Sequence, residues 1–430
     1  MKSNSKLRWM PLDNAAKIYP AARSRNWSNV FRVSASLTEE IDRAVMQSAL
    51  DVVVHRFPSI AVRLRRGAFW YYLEELSHAP KIRDESSYPL TRMNKKETRK
   101  CALRVIVYKN RVAVEIFHSL TDGNGAMVFL KTLLAEYIEK KYAVTLPNEC
   151  GILSRSEMPS DEELEDCFLK HAAPVSISRN EKTAWKITGE KEDIGFINLT
   201  CFEMSVEELL KKAHEHNVTL TAFLCACVMM AIQNLQKKAV SEIKKRKPIK
   251  VLLPVNLRPL FNSKTLRNFV FYTTPEILPY LGDYSLEEIC NVVKNHMGAE
   301  VTQKIMSLKI AANVKSEQAM VLRLAPLFLK NIVMKMVFNN VGEKKSCLSL
   351  SNLGAVKLPS EMEKYVTRLD FILGIQSTAP YNCGVLSFKD TLYMNFVRDI
   401  KNPLLESAVF EVFRDLGLEV KVLTNAREDG

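Results

Sequence analysis

The sequence predicts a mixed α/β protein built from two lobes. Strand-like and helix-like segments alternate in both halves of the chain, and 430 residues are too many for one ordinary hydrophobic core. Hydrophobic residues make up 47% of the chain and charged residues 25%, which are values typical of a globular protein. The periodic pattern is lost between Val144 and about Lys191. We therefore expect one lobe over residues 1–180 and a second over 181–430.

In the first lobe, apolar residues that alternate with polar ones predict strands, and apolar residues at helical spacing predict helices. The strands are expected over 29–37, 61–66, 69–73, 103–108 and 112–117. The helices are expected over 41–55, with Thr38 as the N-cap, and over 126–142. Hairpin turns join the second strand to the third and the fourth to the fifth.

In the second lobe, strands and helices are again interspersed. The strands are expected over 196–202, 249–255, 346–351, 368–375, 384–388 and 392–397. The helices are expected over 206–216, 220–236, 285–306, 317–338 and 404–416. Ser285 and Glu288 form a capping-box pattern at the start of the third helix. Because the strands lie far apart in the sequence, their sheet must be assembled from distant segments.

Cysteine, histidine and apolar patterns exclude several classes of protein. The nine cysteines are an odd number without a CxxC pair, and the histidines form no HxxxH or HExxH pattern, so neither structural zinc nor a disulfide framework is expected. The polar start of the chain lacks a signal peptide, and the longest near-apolar run, Leu220 to Ile232, is too short to cross a bilayer. We expect a cytoplasmic protein without a transmembrane segment, although transient contact with a membrane is compatible with its charge.

The net charge of +13 is spread along the chain, with local maxima at 237–238, 244–247 and 344–345. These maxima lack interleaved aromatic residues, so no nucleic-acid partner is expected. We interpret them as solvated loops and helix ends. A rim that binds the diphosphate of a nucleotide-like cosubstrate is the alternative interpretation.

The segment His118-Ser-Leu-Thr-Asp122-Gly-Asn-Gly125 carries the candidate chemistry. A predicted strand delivers His118 to its C-terminal end, and the Asp-Gly pair then breaks the strand ahead of an apolar helix. Histidine is the side chain best suited to take and return a proton near neutral pH. His118 is therefore a candidate general base, whereas Asp122 is placed to fix the turn. A histidine that merely caps this turn is the alternative.

Several further segments give the chain a resemblance to a known superfamily. They are HxxxDG at His118, the Arg258 segment PVNLRP, the triplet Arg267-Asn268-Phe269, the strand SLSNLG from Ser349, and Leu12-Asp-Asn-Ala near the N-terminus. Together they resemble the chloramphenicol-acetyltransferase-like and condensation-domain superfamily, and are most similar to bacterial alcohol-acetyltransferase-like proteins. The resemblance covers roughly residues 8 to 420.

The resemblance implies two similar lobes, each a mixed sheet flanked by helices, arranged as a pseudo-dimer around a central channel. It implies acyl-CoA as cosubstrate, an alcohol or amine as small-molecule acceptor, and no permanently bound cofactor or metal. His118 would be the general base. Asp122, Gly123 and Arg258 would be architectural, with Asp122 paired to Arg258.

The resemblance also implies candidates for a group that donates a hydrogen bond to the oxyanion or lines the channel. They are Ser349, Ser351, Asn352 and Asn268. For the first three, a strand with ordinary outward-facing polar positions is an equal alternative. The apolar helix expected over 317–338 is interpreted as an amphipathic core helix, and a helix that faces lipid or lines the site of an acyl chain is the alternative.

Two other functions stay open at this point. One is a condensation-type enzyme whose donor is a carrier protein, and the other is a non-catalytic binding protein of the same fold. Phe117 stands where condensation domains usually carry a second histidine, and the chain lacks the DFGWG motif of the BAHD acyltransferases. The condensation-domain branch and the BAHD branch of the superfamily are thereby disfavoured. We expect a monomeric acyltransferase that moves an acyl group, acetyl or longer, from coenzyme A to a hydroxyl or amine.

Overall fold

The computed structural model describes residues 7–23, 29–85, 88–175, 183–318, 325–337, 346–375 and 379–425. The strands, numbered in chain order, are β1 Trp9–Pro11, β2 Val30–Leu37, β3 Val62–Arg66, β4 Tyr71–Glu75, β5 Arg83–Asp84, β6 Leu103–Tyr108, β7 Arg111–Phe117, β8 Asn198–Ser205, β9 Ile249–Asn256, β10 Val270–Thr273, β11 Glu276–Ile277, β12 Leu348–Ala355, β13 Val366–Ile372, β14 Tyr381–Phe388, β15 Thr391–Arg398 and β16 Lys421–Thr424. The α-helices are Tyr19–Ala22, Arg43–Val53, Lys95–Thr98, Gly123–Tyr142, Asp161–Leu164, Cys167–His171, Val206–Glu215, Leu220–Ala239, Arg258–Phe261, Leu286–Glu300, Gln303–Gln318, Leu327–Val337, Ser360–Glu363 and Leu404–Asp415. Short 3₁₀ turns lie at Ala15–Ile18, Val54–Arg56, Ile243–Lys245 and Pro279–Leu281.

The first half of the chain is organised around a five-stranded sheet with the order β13-β2-β7-β6-β5. The helix Gly123–Tyr142 packs on β2 and β7, and the helix Arg43–Val53 packs on it in turn. Apolar side chains of β2, β6, β7 and these helices share one buried cluster. The edge strand β13 comes from the second half of the chain and runs antiparallel to β2. The sheet of the first half therefore requires a segment more than 200 residues away.

The second half is organised around an eight-stranded sheet with the order β10-β9-β12-β14-β15-β8-β16, and β11 pairs with β9. Strand β12 runs parallel to both β9 and β14, whereas β14, β15 and β8 are antiparallel, so the sheet is mixed. A third, three-stranded sheet has the order β1-β4-β3. The predicted mixed α/β class, with sheets flanked by helices, is confirmed.

The helix Leu220–Ala239 is the central helix of the second half. It packs against the helices Leu286–Glu300 and Leu404–Asp415, and its apolar residues belong to the buried cluster of this half. Among the described helices it is the one that is long and apolar enough to span a membrane, and 67% of its most apolar stretch is buried in the protein. Its burial confirms that this apolar run is a core helix, although the helix extends seven residues beyond the apolar run itself.

Most predicted elements are present within a few residues of their expected bounds, but three helices differ. The first begins at Arg43 rather than near residue 41, because Asp42, and not Thr38, accepts hydrogen bonds from the backbone at Ala44 and Val45. The helix expected over 285–306 ends at Glu300, and a new helix begins at Gln303. The helix expected over 317–338 is replaced by the end of that new helix and by Leu327–Val337, which starts directly after Pro326. Residues 319–324 and 338 of the expected span lie outside the described residues.

Candidate active site

His118 lies one residue beyond the end of β7, where the five-stranded sheet gives way to a turn. Its backbone N–H donates to the carbonyl of Asn29, at the start of the neighbouring strand, over 2.9 Å. The Tyr19 ring stacks on the imidazole with 4.5 Å between centroids, and the Phe31 ring meets it edge-on at 5.0 Å. The imidazole is therefore held in one orientation by the sheet and by two aromatic rings.

The ring nitrogen Nδ1 of His118 lies 3.1 Å from Oδ1 of Asn268. The amide nitrogen of Asn268 donates to Oδ2 of Asp13 over 3.3 Å, which fixes which end of the amide faces the histidine. Because Oδ1 can only accept, Nδ1 must carry the proton, and Nε2 holds the free lone pair of a neutral imidazole. The chain Asp13–Asn268–His118 thus selects the ring tautomer with Nε2 as the basic nitrogen.

The charges at this chain of hydrogen bonds are set by burial. Burial lowers the pKa of His118 below its ordinary value of 6.5, so the ring is neutral at pH 7. Burial likewise raises the pKa of the Asp13 carboxyl to about 6, against the opposing charge of Arg267, whose Nε is 3.8 Å away. At neutral pH, Asn268 therefore lies between the ionised carboxylate of Asp13 and the neutral imidazole of His118.

Asp122 caps the helix Gly123–Tyr142. Its Oδ1 accepts from the backbone N–H groups of Asn124 and Gly125, both at 3.1 Å, and its Oδ2 accepts from the N–H of Phe269 at 2.9 Å. The first two bonds satisfy otherwise unpaired donors at the helix start. The third ties the helix start to the residue next to Asn268.

Arg258 joins Asp122 to the same loop. Its Nη2 lies 2.9 Å from Oδ2 of Asp122 and donates to the carbonyl of Arg267 over 2.7 Å, while Nε donates to the carbonyl of Thr265 over 2.7 Å. The structure thus brings together Asp122 and Arg258, the pair that the family resemblance implied. Their bonds converge on the loop that carries Asn268, so they act on His118 through that loop.

Two glycines allow the close packing around this turn. A Cβ at Gly123 would lie 2.8 Å from Cδ2 of Leu353 and 3.0 Å from Cζ of Phe371, and φ at Gly123 is not positive. The space beside Gly123 is filled by these two side chains, so a larger residue at this position would require them to shift. A Cβ at Gly125 would collide with Oγ1 of Thr121 and lie 2.5 Å from the carbonyl oxygen of Leu266.

The other candidates for the oxyanion donor lie on β12. Asn352 donates from Nδ2 to Oγ1 of Thr221 over 3.0 Å and accepts from the N–H of Gly354 at 2.8 Å. Ser349 is buried beside β14, where its N–H donates to Oδ1 of Asn382. Ser351 of β12 lies opposite Gly384 of β14 in the sheet. Asn268 is the candidate that contacts His118 directly, and it donates one of its two amide hydrogens to Asp13.

Three of the basic residues in the second half form local ion pairs. Lys237 and Arg246 both pair with Asp283, and Lys245 pairs with Glu242. These ion pairs favour the interpretation as helix ends and loops over a diphosphate rim. Lys344 and Lys345 lie outside the described residues.

The sequence gives no role to Asp13, nor to the two aromatic residues Tyr19 and Phe31 that contact the imidazole. Asp13 is fully buried, and its backbone and side chain both bind the N–H of Ala16 at the start of a 3₁₀ turn. Its position within the N-terminal segment shared with the superfamily was the available hint. Its partner Asn268 lies 255 residues away, and no spacing pattern shows such a contact.

Comparison with sequence families identifies the class of the protein. The alcohol acetyltransferase family matches residues 165–382, which is half of the chain, so the chain belongs to this family of acyltransferases. The match includes Arg258, Asn268 and β12, whereas His118 and Asp122 precede it. No curated protein matches the sequence.

Solved structures share the fold over nearly the whole chain. The trichothecene 15-O-acetyltransferase TRI3 of Fusarium sporotrichioides superposes with a TM-score of 0.61 at 10% identity, over 96% of this chain and 95% of that chain. TRI101 of F. sporotrichioides, complexed with coenzyme A and T-2, gives 0.60 at 10% identity, over 96% and 99%. The epimerization domain from the third module of tyrocidine synthetase B gives 0.60 at 11% identity, over 95% of both chains. The chain therefore has the two-lobed fold of acyltransferases and condensation-type domains.

Proposed function

We propose that the protein transfers an acyl group from acyl-coenzyme A to the hydroxyl or amine of a small molecule, with His118 as the general base. The observation that carries this proposal is the chain Asp13–Asn268–His118, which leaves a neutral imidazole with Nε2 as the basic nitrogen. A histidine that only capped the turn would not need a selected tautomer. The turn is in any case capped by Asp122.

In the proposed reaction the acceptor O–H or N–H gives its proton to Nε2 of His118 as the oxygen or nitrogen attacks the thioester carbonyl. The tetrahedral intermediate then collapses, the C–S bond breaks, and the imidazolium returns the proton to the leaving thiolate. The products are the ester or amide and free coenzyme A. Because the thioester is already activated, no covalent acyl-enzyme is required. A base of this kind contributes roughly 10²–10⁴-fold to the rate.

Asp13 and Asn268 are positioning residues in this proposal. They act on the substrates through the orientation and tautomer of His118. Since Asn268 contacts His118 through Oδ1 and Asp13 through Nδ2, we assign it this positioning role rather than that of an oxyanion donor. Ser349, Ser351 and Asn352 stay candidates for lining the channel between the lobes. The Asp122–Arg258 pair ties the loop of Asn268 to the start of the helix Gly123–Tyr142.

The family match supports acyl transfer, and the coenzyme A in the similar TRI101 structure supports this donor. A carrier-protein donor is the second candidate, because a condensation-type epimerization domain shares the fold equally well. Non-catalytic binding is the third candidate, and the hydrogen-bond pattern at His118 disfavours it.

The donor is tested with three thioesters of the same acyl group: acyl-coenzyme A, acyl-N-acetylcysteamine and an acyl-phosphopantetheinyl carrier protein. Each is supplied with pooled alcohols and amines, and both thiol release and acylated product are measured. We expect the fastest turnover with acyl-coenzyme A. Turnover with the carrier protein alone would replace the donor in the proposal, and no product from any donor would refute acyl transfer for the acceptors tested.

A further inference from the structure

The helix Leu327–Val337 buries a lysine beside Leu327 and exposes most of its described large apolar side chains, unlike an ordinary surface helix. Its inward side contains Lys330, which is 1% exposed and donates from Nζ to the carbonyl of Phe69 over 3.0 Å. Its outward positions carry five large apolar side chains and one lysine, Lys335. The apolar ones are Phe328, Leu329, Ile332, Val333 and Met336, each between 41% and 56% exposed. Single exposed apolar residues are ordinary, whereas five on one short helix mark an interaction surface.

The exposed helix is firmly attached to the protein on its inward side. The N–H of Leu327 donates to the carbonyl of Ala68 over 3.1 Å, and Nδ2 of Asn331 donates to the hydroxyl of Tyr71 over 3.2 Å. The Lys330 ammonium also lies 3.9 Å from the centre of the Trp70 ring. The exposed apolar face is thus a fixed feature, continuous with the tip of the β3–β4 hairpin, where Phe69 is 51% exposed.

A basic cleft of about 430 Å³ adjoins this face on the same hairpin. It is lined by Arg65, Arg66, Tyr72, Glu74 and Arg99. Glu74 pairs with Arg65, whereas Arg66 and Arg99 have no carboxylate within 4 Å in the described part of the chain. A smaller cavity that shares Arg66 and Arg99 adds Lys95 to the same positive region.

We propose that the outward face of Leu327–Val337, together with Phe69 and the cations Arg66, Lys95 and Arg99, docks on an anionic lipid surface. Apolar side chains that enter the headgroup region, flanked by arginine and lysine, are the combination that interfacial helices use. Unpaired cations are attracted to an anionic leaflet. They also disfavour a second copy of this chain as the occupant, because the cations would then face one another. The protein's net charge of +13 also favours attraction to an anionic surface.

The docking surface lies close to the candidate active site. The helix Leu327–Val337 packs on the short helix Tyr19–Ala22, whose first residue stacks on His118. Docking would therefore bring lipid within one helix of the imidazole. The proposal itself does not depend on acyl transfer, because lipid binding is measured without any substrate.

The test is cosedimentation of the full chain with phosphatidylcholine vesicles that contain or lack phosphatidylglycerol. We expect binding to the anionic vesicles that weakens with added salt. The variant Phe328→Ser/Ile332→Ser should weaken it by at least about tenfold, since two large apolar side chains are withdrawn from the lipid. The variant Arg66→Ser/Arg99→Ser should weaken it by about fivefold per cation.

The matched control is Met158→Ser/Leu281→Ser, which removes two exposed apolar side chains elsewhere and should leave binding unchanged. Unfolding temperatures of all variants are measured alongside, and equal values show that no effect arises from misfolding. No binding by the wild-type protein, or equal binding by the Phe328→Ser/Ile332→Ser variant, would overturn the proposal. A wild-type dimer that this variant dissociates in solution would also overturn it, in favour of a self-association surface.

Discussion

Replacing Asp13 with asparagine tests how the orientation of His118 is maintained. The Asp13 carboxylate now accepts from two donors, the N–H of Ala16 at 2.7 Å and the amide of Asn268 at 3.3 Å. An asparagine side chain has one accepting oxygen, so its NH₂ group must face one of these donors. The unfavourable contact between two NH₂ groups is removed if the Asn268 amide flips, so that its own NH₂ faces Nδ1 of His118. That nitrogen would then have to accept, and the proton would move to Nε2, where it blocks the base.

The expected loss can be bounded from these contacts. A buried donor left without a partner costs about 1–3 kcal/mol. If the tautomer of His118 with its proton on Nδ1 becomes less favourable by that amount, kcat falls by roughly 5- to 150-fold, at 1.36 kcal/mol per factor of ten. Above pH 6, the free energy of unfolding of the variant should equal or exceed that of the wild type. Burial raises the pKa of Asp13 to about 6, so the charged wild-type carboxylate is disfavoured in the folded protein at that pH.

The assay is kcat at saturating acyl-coenzyme A and acceptor, measured from pH 5.5 to 8.5, with thermal unfolding of the same samples. Asp42→Asn is the matched control, since Asp42 is a helix cap for which asparagine is an equivalent residue. A kcat for Asp13→Asn within twofold of wild type, with an intact fold, would refute the role of Asp13 in selecting the tautomer.

Three further predictions concern the surrounding turn. Asp122→Ala leaves Arg258 partly buried without its counter-charge and removes the helix cap, so we expect a loss of about 3–5 kcal/mol in urea unfolding, most of which should disappear in the Arg258→Met background; equal losses in both backgrounds would argue against the pair. Gly125→Ala should destabilise the protein because the new methyl group meets Thr121, whereas Gly298→Ala, in an open helical position, should stabilise it by about 0.5–1 kcal/mol; a stable Gly125→Ala protein would contradict the packing described. Because burial lowers the pKa of His118, the basic form persists below its ordinary value of 6.5, and kcat should decline only at lower pH; an acidic limb centred above 6.5 would contradict this.

The sequence predicts local features of this molecule well and long-range features poorly. Strands β6 and β7 and the helix after His118 follow from apolar periodicity and from the Asp-Gly pair, which are local properties. The placement of β13 at the edge of the first sheet could not be predicted, because its pattern only states that it is a strand. Its partner β2 lies more than 300 residues earlier.

The same distinction applies to the candidate site. His118 and Asp122 are read from one short segment, and the pairing of Asp122 with Arg258 was implied by family resemblance rather than by spacing. Asn268 was considered as an oxyanion donor, since the sequence does not show which way its amide faces. Its orientation depends on Asp13, and a buried carboxylate near the N-terminus gives no pattern that points to a partner in the other half.

The measurement that tests the account most directly is the rate of coenzyme A release by His118→Ala at saturating acyl-coenzyme A and acceptor. His55→Ala, which removes an exposed histidine, is run beside it as the control. The account predicts that kcat falls by roughly 10²–10⁴-fold in His118→Ala and stays at the wild-type value in His55→Ala. Undiminished release by a folded His118→Ala protein would contradict the assignment of His118 as the general base.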